Sequence, residues 1–282
     1  MRVRLRFTKL GKVRFTSHRD VARMWERALR RATLPLAYSE GFSPRPQLSF
    51  GLALPTGCES LAEYLDVALD EHRWAGTGLV VPALPALLTD LLPAGIEVEE
   101  AALVERGDGS LQQQVTSCSW TMQLSGVAPD ELEVKVAALL AARTVPLWRE
   151  RKGRQELDDL RPSVLTLAVS GASGPVVGGC RTVGLVAELA TQPRGVRPSE
   201  LVRGLMAGPG PVPLPSAQET AVGGTGAARG VPGDGAVGTL VLDRACRTEQ
   251  WIERDGDRQE PLGRTEGVSG AGRATHALGR AS

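Results

Sequence analysis

Arg14–Tyr64 reads RFTSHRDVARMWERALRRATLPLAYSEGFSPRPQLSFGLALPTGCESLAEY and carries the decisive pattern of the chain. Ser17 is a good N-cap, and Asp20 stands three residues later in a capping-box-like arrangement. Val21, Trp25, Ala28, Leu29 and Ala32 then recur at helical spacing, and Pro35 ends the run. The spacing predicts a helix from Ser17 to about Ala32. Arg19, Arg23, Arg27 and Arg30 fall on the opposite stripe. Ahead of this helix, Val3, Leu5 and Phe7 alternate with Arg2, Arg4, Arg6 and Thr8. That pattern predicts a half-buried strand with a basic outer face. Leu10-Gly11-Lys12 reads as a turn, after which Val13 and Phe15 resume the apolar spacing.

Downstream, Gln47–Leu54 and Ala62–Leu69 read as strands, Pro82–Leu92 as a helix and Ile96–Val104 as a strand. Strand, helix, two strands, helix, strand is the split β-α-β order of a ferredoxin-like sandwich. The order then recurs. Gln114–Leu124, Val145–Glu150, Val164–Ser170, Thr182–Ala190 and Leu240–Arg247 read as strands, and Pro129–Ala142 and Pro198–Met206 as helices. The expected fold is α+β, two tandem ferredoxin-like (βαββαβ) sandwiches at 1–107 and 108–254. Residues 208–238 hold nine glycines, five prolines and no aromatic residue. Such a stretch cannot bury enough surface to offset its ordering entropy, so it reads as a disordered insertion. Residues 255–282 read as a disordered tail.

The formal net charge of +1 hides an asymmetry, because residues 1–50 carry twelve Arg or Lys and only three acids. A basic end suggests a surface for a polyanion such as RNA, or an arginine-rich solvated face. Cys58, Cys118, Cys180 and Cys246 are scattered, without metal-ligand spacing. Lone thiols and no signal-peptide pattern point to a reduced cytoplasmic protein. No cofactor is implied, and no apolar run is long enough to span a membrane.

Three features are open to binding chemistry. Ser17, His18 and Arg19 at a helix start can hold a phosphate through free N–H groups. His18 alone could instead be a general acid or base, or simply make a local hydrogen bond. The arginine stripe can track a phosphate backbone or be a solvated face, with Glu26 pairing Arg30. Tyr38 and Phe42 can stack unpaired bases if exposed, or plug the sandwich edge if buried. Arg45, between Pro44 and Pro46, has its backbone held extended, and Glu63 is within conceivable reach of it. Trp148–Arg154 and the acids after it read as a charged hairpin. No Walker loop, dinucleotide fingerprint, zincin motif or nucleophile elbow is present.

At FTSHRD, AYSEGFSPRP, LSFGLALPTGCES and AEYLDVAL the chain resembles bacterial radical-SAM-associated (radical-SAM-linked) proteins, a family of unknown function. Trp148–Pro162, ending in Asp159-Leu160-Arg161-Pro162, extends the resemblance to about residues 1–205, plus the strand near Arg247. Where many relatives have Asn and His in the loop, this chain has Ser43 and Arg45. The resemblance implies a link to radical SAM chemistry. The cluster-binding cysteine triplet is absent, so it implies an accessory or substrate-binding module and not the radical enzyme. It further implies RNA of the tRNA or ribosomal RNA class, or a separate radical SAM enzyme, as partner. The alternatives are a metal-independent RNA-processing enzyme using His18 and a protein-interaction scaffold.

Overall fold

The computed structural model describes residues 1–104, 109–151, 153–177, 180–208, 239–254 and 256–263. It is a mixed α/β protein. In chain order the elements are β1 (Arg2–Lys9), α1 (His18–Arg31), β2 (Leu48–Phe50), β3 (Glu59–Ala68), α2 (Glu71–Ala75), α3 (Leu84–Thr89), β4 (Val98–Leu103) and α4 (Leu111–Gln114). They continue as β5 (Ser117–Ser125), α5 (Pro129–Ala141), β6 (Pro146–Arg151), β7 (Arg154–Asp159), β8 (Val164–Val177), β9 (Cys180–Ala190), α6 (Pro198–Ala207), β10 (Val241–Arg254) and β11 (Asp257–Gln259). The chain divides into two compact units. One is Met1–Trp120 with the stretch from Arg244 onward, and the other is Thr121–Asp243. No helix among the described residues is long and apolar enough to cross a membrane.

In the first unit β1 lies between β4 and β3, antiparallel to both. Short β2 pairs the far edge of β3 at Val67, Asp66 and Leu65. Strand β10 runs parallel to β3 at Glu59 and Ser60, and β11 folds back on β10. The expected helix forms where its cap and stripe put it. Ser17 Oγ accepts from the Asp20 N–H at 3.2 Å and donates to Asp20 Oδ2 at 2.7 Å. Val21, Trp25, Ala28 and Leu29 are buried against the sheet. Trp25 meets Phe7 edge to face, with ring centroids 4.9 Å apart.

Three expectations are corrected. Val13 and Phe15 do not resume a strand, because Gly11 turns the chain at φ 67° and Gly11–Phe15 form a 3-10 helix. Phe15 is consequently exposed. The outer face of β1 is not solvated either, since Arg4 and Arg6 are buried among carboxylates. Residues 256–263, read as the start of a disordered tail, instead form β11 and bury Glu260 against Arg6. Residues 264–282 and 209–238 of the expected tail and insertion lie outside the described residues.

Gly95 sits at φ 93°, and its carbonyl accepts from the Leu10 N–H at 2.8 Å. A Cβ there would stand 2.3 Å from the Leu10 carbonyl oxygen. Gly95→Ala is expected to cost at least about 2 kcal/mol, from the clash added to a strained backbone. Gly78 has φ 69° and open space, so Gly78→Ala should cost less. Urea midpoints of the two variants check the difference.

The second unit has β8 and β9 as an antiparallel hairpin beside β5. Helix α5 covers it with Leu132, Val136 and Leu139, and α6 contributes Leu201, Val202 and Leu205. Strands β6 and β7 make the charged hairpin expected around Trp148–Arg154. Its Arg149 is buried and paired with Asp158 at 3.0 Å and Glu200 at 3.3 Å.

Candidate nucleic-acid interface and buried polar cluster

Each residue singled out from the sequence has a definite place. Arg19, Arg23, Arg27 and Arg30 are all exposed along α1. Arg23 pairs with Asp20 at 3.3 Å and Arg30 with Glu26 at 3.5 Å, both on the surface. Pairs of that kind contribute little to stability and exchange readily for another anion. Arg19, Arg27 and Arg45 form no ion pair among the described residues.

The loop after α1 is ordered by its own backbone. Ser39 donates to the Arg45 carbonyl at 2.9 Å, and the Arg45 N–H returns to Ser39 Oγ at 3.1 Å. Gln47 Nε2 reaches the Tyr38 carbonyl at 3.2 Å, and Tyr38 bridges Pro46. Gly41, at φ 120°, makes the tip. Inside this frame Phe42 is fully exposed and Tyr38 is 46% exposed. Of the two readings open for this pair, plug or platform, the exposure excludes the plug for Phe42.

His18 goes elsewhere. Its ring packs edge to face on Phe50, with centroids 5.0 Å apart. Together they edge a small pocket lined also by Phe7, Lys9, Leu54 and Glu63. Lys9 is buried, and its ammonium donates to the Thr16 carbonyl at 3.0 Å and the Arg14 carbonyl at 3.5 Å. Burial holds its pKa below the ordinary lysine value; nearby Glu63 and Cys58 oppose that and Arg247 adds to it. Glu63 does not meet Arg45, because fully buried Arg247 takes its Oε1 at 2.5 Å. The same Arg247 nitrogen donates to the Leu52 carbonyl at 2.9 Å, tying the loop before β3 to β10.

Two further buried carboxylates anchor the surrounding sheet. Glu59 accepts from the Gly11 N–H at 2.8 Å, from Arg14 at 3.4 Å and from Arg244. Asp66 takes Arg4 in a two-point grip at 2.7 and 2.9 Å. Behind β1, Arg6 meets Glu260 at 2.5 Å, Glu249 at 3.2 Å and Glu99 at 3.4 Å. Burial pulls the Arg6 pKa down, but Tyr64 and these acids outweigh it and the net shift is upward. The thiols of Cys58 and Cys246 are buried and pushed up, the latter to about 12, which makes them poor nucleophiles. No group of His, Cys, Asp or Glu among the described residues could hold a metal ion.

Neither Lys9 nor the Arg247 side chain was given a role from the sequence, and Glu63 was noted there without its partner. A signal existed for Lys9. It continues the apolar series Val3, Leu5, Phe7 on one strand face, where a cation must be buried.

Residues 2–198 match the family described as "Uncharacterized protein conserved in bacteria (DUF2344)". The chain belongs to this family. No curated protein matches it. The span matched to DUF2344 contains α1, the Tyr38–Pro46 loop and the pocket residues Lys9, His18 and Glu63. Arg247 and Glu260, which complete the buried pairs, lie beyond it.

Proposed function

We propose that this chain is a cytoplasmic RNA-binding module that works as an accessory to a radical SAM enzyme. One observation carries the RNA reading. The Tyr38–Pro46 loop holds Phe42 fully exposed on a hydrogen-bonded frame, in a chain whose exposed Arg19, Arg27 and Arg45 form no ion pair among the described residues. Leaving a phenylalanine in water forgoes about 1.5–3 kcal/mol of burial, and a rigid exposed ring is what an unpaired base stacks on. Ser17, His18 and Arg19 at the helix start and Arg23, Arg27 and Arg30 beyond supply phosphate contacts. The strand order β4-β1-β3-β2 supports a ferredoxin-like first sandwich within 1–107, and the reading takes 108–254 as a second copy. The radical SAM link rests on the resemblance of the motifs, and co-purification of such an enzyme after nuclease treatment checks it.

The RNA test is a double charge reversal, Arg23→Glu with Arg27→Glu. Affinity for single-stranded RNA should fall at least roughly tenfold in low salt. The slope of log affinity against log salt should shrink by about 1.4, at about 0.7 per phosphate lost. Undiminished RNA retention by this variant would sink the reading.

A second reading makes the chain an RNA-processing enzyme with His18 as its acid or base. It is favoured by the pocket that His18 shares with Lys9 and Glu63. His18→Ala should then abolish cleavage and spare most binding, whereas absence of cleavage in the native chain leaves the binding module.

A further inference from the structure

The pocket beside His18 holds a donor and an acceptor that the protein leaves unused. Lys9 has three N–H groups, and two are engaged by the Thr16 and Arg14 carbonyls. It forms no ion pair with any carboxylate among the described residues. Glu63 gives Oε1 to Arg247, while its Oε2 makes no hydrogen bond among the described residues. The side chain of Glu63 is 12% exposed, so that oxygen is not sealed off from a visitor. The rest of the lining includes the apolar side chains of Phe7, Val21, Phe50 and Leu54, together with His18 and Tyr64. A buried ammonium with a spare N–H and, among the described residues, no carboxylate at ion-pair distance is costly unless something completes it.

The enclosed space is about 20 Å³. That admits about one water-sized group, so only a protruding atom of a ligand can enter. The atom that meets Lys9 must be an acceptor. The group beside it, toward Glu63, must be a donor. Outside, the Phe50 and His18 rings offer flat surfaces for the body of the ligand.

We propose that this pocket reads the edge of an unpaired keto base, guanine or uracil. In both, an exocyclic carbonyl oxygen projects next to a ring N–H. The oxygen would enter toward Lys9 and the N–H would donate to Glu63, with the ring stacked at the mouth. Adenine and cytosine present an exocyclic amine there, which sets donor against donor at Lys9. The carbonyl of cytosine has an acceptor nitrogen beside it, which faces the carboxylate of Glu63. The inference rests on the RNA-binding reading and adds the base class to it.

The test uses the full chain and four labelled RNA octamers of adenine, with guanine, uracil, cytosine or adenine at one central position. Fluorescence anisotropy should give about tenfold tighter binding for the guanine and uracil probes than for the other two. In Lys9→Met and Glu63→Gln that ratio should fall to near one. The ratio does not depend on the fraction of folded protein, and Glu63→Gln carries the test alone if Lys9→Met is not recovered folded. Native binding without a keto preference overturns this inference and leaves the RNA reading standing. A preference that survives in Glu63→Gln removes it from this pocket. Failure of every octamer to bind overturns both.

Discussion

A Glu260→Ala chain is expected to lose about 3–5 kcal/mol of stability, read from urea unfolding followed by tryptophan fluorescence. Glu260 has no exposed side-chain surface, and its Oε2 stands 2.5 Å from Arg6, whose own side chain is 1% exposed. Removing the acid strands a guanidinium inside the protein. The loss should fall toward the lower end of that range, because Glu249 and Glu99 remain at 3.2 and 3.4 Å. Next to this pair, Arg4 donates to the Pro261 carbonyl at 2.9 Å, and Leu262 packs on Ala62, Tyr64 and Leu111. Displacing 260–263 therefore uncovers more than one pair. A loss under about 1 kcal/mol would mean that this segment is not seated against β1.

The second large effect is expected for Arg247→Met. The guanidinium is fully buried, pairs with Glu63, holds the Leu52 carbonyl and lies over Trp120 at 5.7 Å. Methionine fills much of the volume and supplies none of the donors. About 3 kcal/mol should be lost, the low end for a broken buried pair, because Lys9 leaves Glu63 with a neighbouring cation. One sign is diagnostic. Arg247 is among the causes that hold the Lys9 pKa down, so the Lys9 pKa should rise in the variant. NMR titration of the Lys9 side chain checks this, and a fall would contradict the placement of the two cations.

What was legible in the sequence was local. The start of α1 followed from Ser17 and Asp20, and its buried face from the Val21–Leu29 spacing, because those signals act within a turn or two. The alternation of β1 was equally plain. The fate of its arginines was not, since Asp66 lies 62 residues from Arg4 and Glu260 lies 254 residues from Arg6. No local rule reports which acid a distant segment brings back. The cationic surplus of residues 1–50 thus had two destinations. Arg4, Arg6 and Lys9 went inside, and Arg19, Arg23, Arg27, Arg30 and Arg45 stayed on the surface. The stiffness of the Tyr38–Pro46 loop around Arg45 was readable from Pro44 and Pro46. Whether Phe42 pointed in or out depended on backbone hydrogen bonds that leave no trace in composition. Lys9 drew no attention because a charge on an apolar strand face looks, in one dimension, like the end of the strand, and the partner of Glu63 was hidden because Arg247 lies 184 residues away.

The return of residues 256–263 to the first strand has a consequence for biosynthesis. A ribosome adding about 5–20 residues per second delivers Glu260 on the order of tens of seconds after Arg6. In that interval Arg6 lacks its nearest acid, and Arg4, though held by Asp66, lacks the Pro261 carbonyl, on the face that this segment will later close. The first unit can begin to fold early, but its last bolt is threaded only once Glu260 has left the ribosome.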